Sequence, residues 1–199
     1  MSKTFEIETI VSKHRLAKLY AQKDKDIQEI VKRYVQKIMD DHSDYCIKAN
    51  ADNFANTSMA VGFYFAFKEK GMSNQETIDR IANALYEGIL PRKELMEKYC
   101  GKDIMWPLVR KVVPKVMTSA NGHGFETEVL QTSKKECAFT VHQCIIATIM
   151  KEYDIPKELG TSFCHCDVIS MGSIPSVRFV RTQTLANGDS CCDFRFIKE

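Results

Sequence analysis

Six of the eight cysteines, Cys137, Cys144, Cys164, Cys166, Cys191 and Cys192, fall in the last third of the 199-residue chain; only Cys46 and Cys100 lie outside it. Gathered thiols can be nucleophiles, metal ligands or small buried side chains. Cys144 stands in Val-His-Gln-Cys, where an alternating pattern gives way to a helical one. A thiol in the first turn of a helix meets unpaired N–H groups and the positive end of the dipole, and both favour the thiolate. Cys144 is therefore a candidate nucleophile, and the plainer reading is a core residue beside Ile145 and Ile146. Phe-Cys-His-Cys-Asp at 163–167 brings two thiols, an imidazole and a carboxylate together. Asp167 could act there as a general base, or orient a thiol or a water. The spacing suits zinc poorly, because structural zinc sites take thiols two to four residues apart with a second pair elsewhere. Cys164 and Cys166 are separated by one residue, and Cys191 and Cys192 are adjacent, so on a strand they point to opposite faces. No metal site is expected.

In the run from Thr182 to Phe196, strand alternation puts Cys192, Phe194 and Phe196 on one face and Cys191, Asp193 and Arg195 on the other. The phenylalanine face is expected to be the core, with Cys192 buried or flooring a pocket. Asp193 and Arg195 are expected to form a same-face ion pair, the alternative being an Arg195 guanidinium that grips a substrate carboxylate.

These residues need elements to hold them. Apolar residues at Ile27, Ile30, Val31, Tyr34, Val35, Ile38 and Met39 repeat at three and four, as in an amphipathic helix. Asn53 is expected to open a second helix with Met59, Ala60, Phe63, Tyr64 and Phe67 on one side and Gly71 at its end. The aromatic excess at Phe63, Tyr64, Phe65 and Phe67 is read as burial on two sides, a subunit contact being the alternative. Ser73 and Glu76 form a capping-box pattern. The third helix carries Ile78, Ile81, Ala82, Leu85, Tyr86 and Ile89 and is expected to stop before Pro91. A fourth helical stretch, 105–117, is expected to bend or split at Pro114.

Beyond the breakers Asn121, Gly122 and Gly124 the period changes to two. Strands are predicted over 125–130 and 137–141, joined by a hairpin at Ser133 and Lys134. A helix follows over 143–153, Pro156 suits the first turn of another short helix, and two more strands run over 177–183 and 191–197. Asn187-Gly188 between them is a turn signal. The prediction is a single α+β domain over 1–199, with a helical half (1–120) and a cysteine-rich half (121–199). That second half is a β-β-α-β-β unit with a mostly antiparallel four-stranded sheet.

A net charge of +2 and 44% hydrophobic residues give no reason to expect nucleic acid or an anionic membrane as partner. The lysines of the first half are interleaved with acids and read as solvated helix faces. With no leader-like segment and no apolar run of spanning length, the chain is expected to be cytoplasmic and its thiols free. No phosphate loop, dinucleotide fingerprint, zinc-protease helix or Gly-x-Ser-x-Gly elbow is present.

The stretch 140–196 resembles the L-2-amino-thiazoline-4-carboxylic acid hydrolase family. That family has a cysteine at the start of a helix, matched by Cys144, and a cysteine three residues before an aspartate, matched by Cys164 and Asp167. Its closing Thr…Gly…Cys-Asp-Phe-Arg signature is matched by Thr184, Gly188, Cys192, Asp193, Phe194 and Arg195. Cys166 and Cys191 fall outside the pattern. The resemblance implies hydrolytic attack, at a C–N bond, on a small cyclic amidine-like molecule. The named family reaction opens a thiazoline to N-carbamoyl-L-cysteine. Cys144 or Cys164 would attack, helix placement favouring Cys144, and Asp167 would serve as base or position water. Thr184, Cys192, Asp193 and Arg195 would line or hold the substrate, and Gly188 would allow the turn. No cofactor is required, and the only expected partners are the small-molecule substrate and a possible second copy of the chain. From a different functional class, a non-catalytic small-molecule or thiol redox sensor stays open.

Overall fold

The computed structural model describes residues 5–99 and 102–199. Two short helices, α1 (Ile7–Lys13) and α2 (Ala17–Ala21), open the described chain, and neither is long enough to show a repeat. The next three follow from their apolar spacing. Helix α3 (Lys25–Asp41) starts where the Asp24 carboxylate accepts the Ile27 N–H at 3.1 Å. Helix α4 (Ala51–Glu69) is buried along nearly its whole length, from Phe54 to Phe67, with Phe65 half-buried and stacked on Tyr34 at 4.5 Å. The aromatic run is thus covered by the chain's own helices.

Helix α5 (Asn74–Tyr99) starts at the expected capping box, in which the Ser73 hydroxyl and Glu76 carboxylate exchange bonds with each other's backbone N–H at 3.3 and 3.2 Å. It does not stop at Pro91. Pro91 and Glu87, the residue four positions before it, are both exposed, so the carbonyl that loses its partner falls on the solvent side and the helix continues. Helix α6 (Lys102–Thr118) likewise runs through Pro107 and Pro114 as one element.

The second half holds β1 (Glu126–Thr132), β2 (Glu136–Gln143), α7 (Ile145–Glu152), α8 (Lys157–Met171), β3 (Val177–Val180) and β4 (Cys192–Lys198). All pairings are antiparallel and the order is β1-β2-β4-β3. The fold is α+β, as expected, with two corrections inside this half. The unit is β-β-α-α-β-β, because α8, expected as a short helix, is a full fifteen-residue one. The connection from β3 to β4 is longer than expected because β3 ends at Val180 rather than at 183, and the turn falls at Asn187-Gly188 as expected. The loop contains a 3-10 turn (Leu185–Asn187) closed by Gly188 at φ 97°, a conformation that suits only glycine well.

Two apolar cores result. The larger joins α1 to α5 with α7 and the Phe163–Cys166 side of α8. The smaller lies between α6 and the sheet: Trp106 and Val109 meet Cys137, Phe139 and Val141 of β2 and Cys192, Phe194 and Phe196 of β4. Register builds this second core, since Cys137, Phe139 and Val141 pair with Phe196, Phe194 and Cys192. Among the described residues no helix is long and apolar enough to cross a membrane.

Candidate functional site

Strand β2 ends at Gln143 and α7 begins at Ile145, so Cys144 is the N-cap residue, with extended backbone (φ −138°, ψ 123°). Its sulfur faces the Ala147 and Ile146 N–H groups of the first turn, which favour the thiolate, but it makes no cap hydrogen bond. Cys144 also lines a cleft of about 480 Å³ between α7, α8 and the 3-10 turn. Helix placement alone predicts a lowered thiol pKa, and the structure gives the opposite balance. Burial outweighs the pull of the first-turn N–H groups and pushes the thiol up to about 12, with Cys192 and Cys164 close enough to add to the rise.

Helix α8 separates the residues of the Phe-Cys-His-Cys-Asp run. Two positions along a helix is about 200° of rotation, so Cys166 is buried in the large core while Cys164 turns toward the β3–β4 loop. Burial pushes Cys164 up to about 11; Arg181 works against the rise, Asp167 with it, and the neighbouring Thr184 hydroxyl weakly against it. Cys192, buried at the start of β4, accepts the Leu185 N–H at 3.2 Å. The thiols of Cys144, Cys164 and Cys192 therefore feel one another, although only Cys144 lines the cleft.

Arg181, just past β3, is the residue that the sequence reading missed. Its side chain is 5% exposed. It pairs with Asp167 at 3.0 Å, donates to the Cys164 carbonyl, and lies over the Phe194 ring at 5.2 Å. Burial raises the Asp167 carboxyl against the pull of Arg181. Alternation was the available signal, because Val177, Phe179 and Arg181 share a strand face. The pair ties α8 to the loop that walls the cleft.

The remaining candidates divide between that loop and the outer sheet face. Thr184 caps the 3-10 turn, its hydroxyl accepting the Asn187 N–H at 3.3 Å, while its own N–H reaches the Asp189 carboxylate at 2.8 Å. Asp193 does not pair with Arg195. It accepts the Thr182 N–H at 2.8 Å, the Thr182 hydroxyl at 2.7 Å and the Gln183 N–H. Burial opposes them, but these bonds hold its carboxyl below the ordinary value. Arg195 is exposed and bonds Glu136 on the neighbouring strand at 2.7 Å. Strand alternation, which puts Cys192 inside, places Asp193 and Arg195 on the opposite face from the thiols. Two cations that the sequence reading did not single out, Lys151 and Lys157, line the cleft with Cys144. Among the described residues no three His, Cys, Asp or Glu side chains are grouped as metal ligands would be.

The family model for L-2-amino-thiazoline-4-carboxylic acid hydrolase matches residues 5–196, nearly the whole chain, so the protein belongs to that family. No curated protein and no solved structure matches the chain.

Proposed function

We propose that this family member hydrolyses a small cyclic amidine that carries an anionic group, with L-2-amino-thiazoline-4-carboxylate as the type substrate and Cys144 as the nucleophile. One observation carries the reading: Cys144, at the N-terminus of α7 and facing its first-turn N–H groups, lines a cleft that also presents Lys151 and Lys157. The lysines supply a partner for a carboxylate, and the cleft volume suits a small molecule.

The thiol is protonated at rest, so attack and proton transfer go together. The sulfur bonds the amidine carbon and its proton passes to the ring nitrogen, while the Ile146 and Ala147 N–H groups stabilise charge developing on sulfur. Collapse expels the ring sulfur as a thiol and leaves an isothiourea on Cys144. Water then adds to the same carbon and the Cys144 thiol departs, giving the N-carbamoyl product. Both substrate nitrogens stay on that carbon, so atom balance places the broken bond at ring C–S rather than C–N. Asp167 and Arg181 act behind the cleft wall, tying α8 to the start of the β3–β4 loop rather than touching substrate.

A thiol redox sensor gains nothing from this geometry. Burial raises Cys144 and Cys164 and so lowers the thiolate fraction that oxidation requires. The test is turnover: purified protein is incubated with L-2-amino-thiazoline-4-carboxylate and N-carbamoyl-cysteine is followed by mass spectrometry. Product above a boiled control supports the proposal, and its absence removes this substrate.

A further inference from the structure

On another part of the molecule a second cleft, of about 550 Å³, runs between α2 and α5. Its walls carry the cations Lys18, Lys23 and Arg80 against a single carboxylate, Glu87, while the Arg15 that also lines it turns its guanidinium to Asp52. Glu87 is engaged with Lys18 at 3.4 Å, with both side chains largely exposed. Between the cations the lining is apolar, from Leu19, Ala84 and Pro91. Read along the sequence these cations look like solvated helix faces. The fold makes them concave, and a concave surface of one sign concentrates counter-ions.

The cleft is also built, not merely charged. Helix α5 approaches α2 across Gly88, where a Cβ would sit 2.7 Å from the Cβ and 2.9 Å from the Cα of Arg15. Only glycine allows that approach, so α5 fixes the Arg15 backbone. The Arg15 guanidinium meets Asp52 at 3.4 Å and lies over the Phe163 ring at 5.8 Å, yet its Nε is fully buried and has no hydrogen-bond partner among the described residues. On the open side Lys23 rests over the Phe67 ring at 5.6 Å, and Arg80 feels Glu76 one turn before it.

The geometry points to this cleft as a binding site for a small phosphate ester. Lysine ammonium groups are point charges that suit phosphate, and guanidinium groups add fork geometry. The apolar lining between them would take the organic part of the ester. The volume lies within the range of small-molecule sites. The site stands apart from the thiol cleft, so the inference does not rest on the proposed reaction.

Calorimetric titration of the full-length protein with inorganic pyrophosphate and with glucose 6-phosphate, at constant ionic strength, tests it. The expected result is saturable one-to-one binding, weakened at least tenfold by combined Lys18→Gln and Arg80→Gln. Both side chains are exposed, and circular dichroism and melting confirm that this variant is folded. Combined Lys151→Gln and Lys157→Gln, in the other cleft, should leave the affinity unchanged. Three results would overturn the proposal: no saturable binding of either probe, loss of binding in the Lys151 and Lys157 variant instead, or binding of citrate as tightly as pyrophosphate.

Discussion

The two apolar cores differ in what they do with cysteine. In the large helical core Cys166 is 1% exposed and packs among aliphatic and aromatic neighbours, with Arg15 as a polar neighbour and outside the cleft that Cys144 lines. At the edge of the sheet core Cys192 accepts the Leu185 N–H at 3.2 Å, Cys144 faces the first-turn N–H groups of α7, and Cys164 lies beside the Thr184 hydroxyl. Helix α8 is the seam between the two, with Cys166 on one side and Cys164 on the other. A thiol in a closed core is worth only its volume. A thiol at the seam faces donors beside a cleft, which is what a nucleophile needs. The chemistry thus sits where the two cores meet.

The sharpest way to break this comparison is to truncate one thiol from each side. Cys144→Ala is expected to lower turnover of the thiazoline substrate at least about a thousandfold, roughly 4 kcal/mol of barrier, with little change in melting temperature. Cys166→Ala should do the reverse, keeping turnover and losing about 1 kcal/mol of stability in urea unfolding. Equal turnover losses in the two would abolish the distinction. The next effect is on packing. Phe63→Ala, at the centre of the large core, should cost about 3–5 kcal/mol, and Phe139→Ala, under the sheet, should fall at the lower end of that range, both read from denaturant midpoints.

Arg181→Met tests the tie between α8 and the loop. It leaves Asp167 without its partner, but that carboxylate side chain is 39% exposed. The cost is therefore discounted from that of a fully buried pair to about 1–2 kcal/mol. Turnover should fall about tenfold through a loosened cleft wall. A variant with native turnover would detach the ion pair from the site. Asp193→Asn should show the smallest effect, about 0.5–1 kcal/mol. Because the folded carboxyl is held below its ordinary 3.8, it stabilises above that value, and the contribution is lost as pH falls through the folded pKa. Acid unfolding of wild type and variant should therefore converge at low pH.

The helical half was legible because its apolar residues repeat at three and four, and the inner face of β4 because Cys192, Phe194 and Phe196 alternate. Pro91 misled because water can satisfy the carbonyl it strands on an exposed face, which lets a well-packed helix continue, and burial is not written locally. Helix α8 was under-read since Cys164, His165, Cys166 and Asp167 interrupt its apolar period with polar letters. Cys144 was placed correctly at a helix start, yet the sign of its shift was not legible, because burial depends on α8 and the β3–β4 loop closing over it. The Asp167–Arg181 pair joins residues from a helix and a strand end, and no local pattern announces it. Arg195 shows the converse: signature membership suggested a substrate clamp, while register hands its guanidinium to Glu136 on β2.

The most direct measurement is acid-quenched turnover followed by peptide mapping with mass spectrometry, to find where substrate carbon is held. The account predicts an isothiourea adduct on the peptide containing Cys144, formed and lost at rates compatible with turnover and absent from Cys164 and Cys192. An adduct on Cys164, or full turnover by the Cys144→Ala protein, would contradict it.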